Sequence, residues 1–204
     1  MPDQTTDQDL NDRLALIERM IAEGRRNTEN WGWTFVLWGV VYYAAIAWSA
    51  WGNSTWAWPV TVSIGVIATI AIASREGAHQ PETTLGRAVG SIWMALAISM
   101  CLLFPALSLT GRLADPHVFL AVVSAILGMA NGASALLLRW KVQFACAVVW
   151  WLAAVATCFG TGAQSLTVFL AAIFLCQIVF GIYAMMAGLH RKRPASFDAR
   201  SARA

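Results

Sequence analysis

Two amide side chains, Asn131 and Gln177, stand inside long apolar runs of this 204-residue chain. An amide surrounded by hydrocarbon is costly unless it is hydrogen-bonded or meets water, so each of these groups needs a partner. Asn131 follows Gly128 by three residues and Ser124 by seven, which on a helix puts all three on one face of small residues suited to close packing. Gly128 and Gly132 bracket it as a GxxxG motif, a packing signal that suits contacts within one bundle as well as contacts between chains. Gln177 shares a stripe with Gly181, Ala184 and Gly188. The chemistry open to such groups is hydrogen bonding. In one reading they are interhelical glue. In the other they join Trp38, Trp93, Trp150 and Tyr183, which count to a similar depth of roughly 8 to 12 Å, in an aromatic-lined pocket for a lipid or apolar molecule.

Other chemistries find no support in the pattern. Cys101, Cys146, Cys158 and Cys176 fall inside apolar runs and read as small packing groups, with no CxxC spacing. His79, His117 and His190 lie at or beyond the ends of those runs, so no metal site is expected. The runs carry no Asp, Glu, Lys, Arg or His away from their ends, which argues against proton-coupled transport and intramembrane hydrolysis. Phosphate-cradling and dinucleotide glycine motifs are missing too, so the expectation is a non-enzyme without cofactor or nucleic-acid partner.

The elements that hold these residues follow from composition. With 58% hydrophobic and 12% charged residues, the chain is far from a soluble domain and its main partner is the lipid bilayer. Six uncharged runs are long enough to cross a bilayer as helices: Trp31 to Trp51, Trp56 to Ser74, Ala88 to Leu109, His117 to Leu138, Val142 to Gly160 and Ser165 to Gly188. They lack the in-out alternation of barrel strands, so the fold class is all-α, a polytopic membrane protein with six transmembrane helices. Asp115-Pro116 reads as an N-cap followed by an N1 proline, Pro81 opens the third span, Pro59 falls in the first turn of the second, and Pro105 lies near the end of its helix.

Thirteen of the fourteen Lys and Arg residues fall on one side of this threading, the exception being Arg112. The positive-inside rule therefore places both termini in the cytoplasm. Seven of the eleven tryptophans crowd residues 29–58. Counted by depth, Trp31, Trp33, Trp48, Trp51, Trp56, Trp58 and Trp140 read as headgroup-level belt residues.

Ahead of the spans, residues 1–30 form a cytoplasmic segment. Leu10, Leu14, Ile17 and Ile21 recur at intervals of four, three and four, which predicts an amphipathic helix over 9–23, capped by Asp7 or Asp9 and ended by Gly24. Its polar face mixes acids with Arg13 and Arg19, which favours association with another copy or a cytoplasmic protein over anionic lipid. Residues 1–30 hold four cations against seven acids, net −3, whereas the tail at 190–204 holds five against one, net +4. Packing of this helix against the chain's own cytoplasmic loops is the intramolecular alternative.

The stretch "LALIERMIAEGRRNTENWGW" running directly into "TFVLWGVVYY" resembles a group of bacterial multi-pass inner-membrane proteins for which no activity is established. That resemblance implies location and fold class and carries over no functional residue. The expected function is interaction, regulation or assembly in the membrane. The alternative is a small transporter or a lipid or apolar-ligand binder built on the aromatic layer.

Overall fold

The computed structural model describes residues 4–52, 56–77, 84–110 and 115–192. The chain is all-α, with no strand among the described residues. Its helices are α1 (Gln4–Asn30), α2 (Gly32–Gly52), α3 (Ala57–Gly77), α4 (Thr84–Leu109), α5 (Pro116–Leu138), α6 (Lys141–Phe159), α7 (Gly162–Ile173), a π-helical segment (Phe174–Val179) and α8 (Phe180–Lys192). Taking α7, the π segment and α8 as one rod, six of these helices are long and apolar enough to cross a membrane. The protein is of the multi-pass membrane type. Six crossings return the chain to the side on which it began, so α1 and the end of α8 share one end of the bundle.

Local chemistry explains the helix ends. The Asp115 side chain accepts from the His117 amide at 2.8 Å, and Pro116 fills the first helical position of α5. The last rod starts at Gly162 and not at Ser165 because Thr161 and Gln164 close a capping box one turn earlier, with the Thr161 amide donating to Gln164 Oε1 at 2.9 Å. α4 starts at Thr84, a turn before the expected Ala88, so Arg87 is helical. Pro59 lies in the first turn of α3, and α4 continues past Pro105 to Leu109. Pro81 lies outside the described residues.

The α5–α6 hairpin turns on Arg139, held in the left-handed region at φ 48° and ψ 40°. The Trp140 amide donates to the Ala135 carbonyl at 2.9 Å and the Arg139 amide to Leu136, which satisfies the last carbonyls of α5 in a Schellman turn. The tight turn brings α5 and α6 side by side along their lengths. α5 is the centre of the bundle: 56% of its span is buried, against 17% for α3 and 6% for α4. The peripheral helices show Ile64, Ile67, Ile70, Ile98 and Leu102 outward, an apolar surface suited to lipid.

α1 departs from the expected 9–23 element. It does not stop at Gly24 but runs to Asn30, a rod of about 40 Å. Gly24 is buried because the helix needs it for approach and not for termination: a Cβ there would lie 2.8 Å from Leu85 Cδ2 and 3.0 Å from Leu138 Cδ2. Since helix starts at Gln4, neither Asp7 nor Asp9 is an N-cap. The last third of α1 packs against α4, α5 and α8, while residues 8–19 stand exposed beyond the bundle.

Candidate functional site: a neutral polar core beside the π segment

Small residues draw the inner helices together. Gly128 and Gly132 of α5 form a groove filled by the Trp151 ring of α6, whose Cδ1 crowds the position a Gly128 Cβ would take and whose Cη2 lies 2.9 Å from that of a Gly132 Cβ. The GxxxG motif thus serves packing within this chain. Gly181 faces the backbone of α2 at Gly32, Ala184 is fully buried against Gly32, and Gly188 lies against Asn30 and Glu29. These contacts seat α2 and α1 on the last rod.

Three helices bring amides into the resulting core. On α6, Gln143, Trp150 and Thr157 repeat every seven residues and are all 0% exposed. On α5, Ser124, Asn131 and Ser134 are likewise 0% exposed. Gln177, 2% exposed, sits in the π segment, a rare geometry that gathers at functional positions. A chain of contacts sets Asn131 level with Cys146 and Ala147 of α6 and with Cys176 and Gln177 of the last rod, whereas Gln143 and Thr157 stand about 21 Å apart along α6. Gly132, next to Asn131, lies beside Ala147, a would-be Cβ 3.5 Å from the Ala147 methyl. Cys146, next to Ala147, accepts at its carbonyl from Cys176 Sγ at 3.5 Å, and Gln177 follows Cys176. Asn131 is seven residues from the end of α5, about 10 Å into the bundle.

The hydrogen bonding of this polar core is incomplete. Asn131 Nδ2 donates to the Leu127 carbonyl of its own helix at 2.9 Å. Asn131 Oδ1, both amide atoms of Gln143, Gln177 Oε1, the hydroxyls of Ser124 and Ser134, and the indole N–H groups of Trp140 and Trp150 bond to no group of the described residues. The far end of the bundle contrasts with this. There His117 Nδ1 lies 3.0 Å from both the Thr157 carbonyl and Ser165 Oγ, and Ser165 Oγ donates to that same carbonyl.

At the α1 end the polar core is roofed by rings and one ion pair. Arg25 lies 5.1 Å above the Trp140 ring and its Nε stands 3.4 Å from Glu29 Oε1. Trp140 packs on Phe180 at 5.3 Å, Phe180 on Phe35 at 5.0 Å, and Phe35 on Trp93 at 5.3 Å. Trp140 is therefore a core residue, 2% exposed, and not part of a lipid belt. The tight α5–α6 turn swings it inward. Trp48, Trp51 and Trp56 are exposed near the opposite end, whereas Trp58 packs on Phe119.

The four rings expected in one pocket do not converge. Trp150 is in the core beside Phe169, and Trp93 meets its edge through Phe35. Trp38 turns toward α3, its ring 3.6 Å from where a Gly65 Cβ would stand, and packs at a tilt on Tyr42. Tyr183 is 38% exposed on the outer surface. Of the α1 stripe, Leu10, Leu14 and Ile17 are 53, 58 and 52% exposed and Ile21 is half-buried.

Sequence reasoning missed Gln143, Ser134, Arg25 and Glu29. The seven-residue repeat of Gln143 with Trp150 and Thr157 was a usable signal. Glu29 carried none, because a carboxylate just before a span reads as an interfacial group, yet it is 1% exposed. Compared with known proteins, the chain matches no protein-family model, no curated protein and no solved structure.

Proposed function

We propose that this chain is a non-catalytic membrane protein that works by association, with α1 as its docking element, in a bacterial plasma membrane with both termini in the cytoplasm. One observation carries the reading: α1 is rooted in the bundle at Gly24, Arg25 and Glu29 while Leu10, Leu14 and Ile17 remain uncovered by the described residues. The uncovered stretch, residues 8–19, is of a length at which a free helix is marginal in water, and rooting one end lowers the entropy cost of presenting it. The face that carries the stripe continues into the one buried at Gly24 and Thr28, so a bound partner would sit over the α1 end of the bundle. Tethering in the membrane raises effective concentration and strengthens weak docking.

The competing reading, a transporter or a binder of lipid or apolar molecules in an aromatic pocket, has less support, because Trp38 and Tyr183 point away from Trp150. The test is Leu14→Asp with Ile17→Asp, followed by cross-linking in membranes and pull-down of cytosolic proteins. Loss of a cross-linked second copy identifies self-association, and loss of a captured protein identifies a cytoplasmic partner. A double variant that inserts normally and keeps every cross-link and every partner ends the proposal. For the threading, cysteines placed at Ser54 or Gln164 should label from outside and at Thr83 or Ser201 from inside; reversed labelling refutes the orientation.

A further inference from the structure

We infer that Cys146 and Cys176 form an oxidation site for hydrogen peroxide, at which Cys146 is oxidised first and Cys176 then closes a disulfide that ties α6 to the last rod. This is independent of association through α1. Thirty residues apart in sequence, the two stand side by side in space. Cys176 Sγ lies 3.5 Å from the Cys146 carbonyl oxygen, and the two thiols are within hydrogen-bond reach of each other.

The two roles follow from exposure and from neighbours. Cys146 keeps 9% of its surface and Cys176 1%, so an incoming molecule meets Cys146 and finds Cys176 behind it. A thiol in a wholly apolar site is inert, because the reacting form is the thiolate and hydrocarbon does not stabilise charge. The face of α6 that carries Cys146 is not wholly apolar. Gln143 lies three residues before it and Trp150 four residues after, the spacings at which side chains on a helix are neighbours. Gln143 Nε2 and Trp150 Nε1 are N–H donors that bond to no group of the described residues. One donor therefore stands a turn to either side of the sulfur, placed to stabilise its charge as it attacks.

Hydrogen peroxide suits the site because it is uncharged and close to water in size. The Cys146 sulfur attacks one peroxide oxygen, the O–O bond breaks, and a sulfenic acid and one water result. The Cys176 sulfur then displaces the hydroxyl, forming the S–S bond and a second water. Two protons and two electrons thus pass from two thiols to one peroxide. Since Cys176 sits in the π segment, the new bond pins α6 to the irregular part of the last rod.

Full-length protein in nanodiscs is treated with hydrogen peroxide, unreacted thiols are blocked on denaturation, and each cysteine is read by peptide mass spectrometry without reduction. The expected product is a peptide pair joined through Cys146 and Cys176, formed in the folded protein before Cys101 or Cys158, both exposed, takes up oxygen. In Cys176→Ser, Cys146 should instead carry added oxygen, and in Cys146→Ser, Cys176 should stay reduced. Gln143→Leu should slow the loss of the Cys146 thiol about tenfold, the worth of one hydrogen bond to a charged group. The assignment is overturned if the joined peptide appears only after unfolding, if either cysteine joins Cys101 or Cys158 as readily, if the exposed cysteines oxidise first, or if a folded Gln143→Leu variant reacts at the wild-type rate. The order of oxidation in the wild-type protein decides the matter even where a variant fails to fold.

Discussion

Replacing Gly181 with alanine places a methyl group in the crossing of α2 and α8, where the backbones are closest. The new Cβ would lie 2.7 Å from Val36 Cγ2, 2.8 Å from the Gly32 carbonyl oxygen and 3.0 Å from the Val36 amide nitrogen. Ordinary contact begins at 3.4 Å, so α2 must retreat by about half an ångström. The obstruction includes helix backbone, which cannot rotate away as a side chain can. Overpacking of this kind costs about 1 to 3 kcal/mol, against up to about 1 kcal/mol returned by the better helix propensity of alanine. The control is Gly90→Ala in α4, where a Cβ meets nothing within 4 Å and the propensity gain stands alone. The two alanine variants should therefore differ by about 2 kcal/mol in opposite directions about the wild type. Reversible unfolding by SDS from mild detergent micelles, followed by tryptophan fluorescence, measures both. Gly181→Ala as stable as Gly90→Ala would refute the close crossing.

Trp151→Ala should destabilise the bundle by about 2 kcal/mol in the same assay, below the range for a fully buried tryptophan because its ring is 39% exposed. Gly128→Val should cost a similar amount by evicting that ring, and the double variant should cost less than the two losses together, since both act on one groove. Strict additivity would show that ring and groove are not partners. Arg139→Gly should raise stability by up to about 1 kcal/mol, because φ 48° suits glycine better than arginine, whereas Arg139→Val should lower it. If neither substitution changes the unfolding midpoint, the Schellman turn does not constrain the hairpin.

Composition and run length alone determined that this chain is an all-α, multi-pass membrane protein, because a bilayer admits few solutions to backbone hydrogen bonding and a run of about 20 apolar residues has one natural use. The start of α5 was equally plain, since Asp115 and Pro116 act within their own turn. Asn131 and Gln177 were also legible, as an amide in an apolar run advertises a buried polar group wherever the helices go. What faces them was not. Helical periodicity gives the side of a helix on which Trp38, Tyr183 or Trp150 lies but not which helix stands opposite, so rings at equal depth were grouped although one faces α3 and another the surface. Gly24 reads locally as a helix end, and only Leu85 and Leu138, more than sixty and one hundred residues away, make it a contact that lets α1 run on to Asn30. Trp140 and Glu29 look interfacial by depth, and the Arg139 turn and the seating of α1 bury both. Depth and helicity arise from interactions within a few turns of one helix and can be counted along the chain. The neighbours of a side chain depend on how the helices pack against one another, which is settled by contacts between residues far apart in sequence.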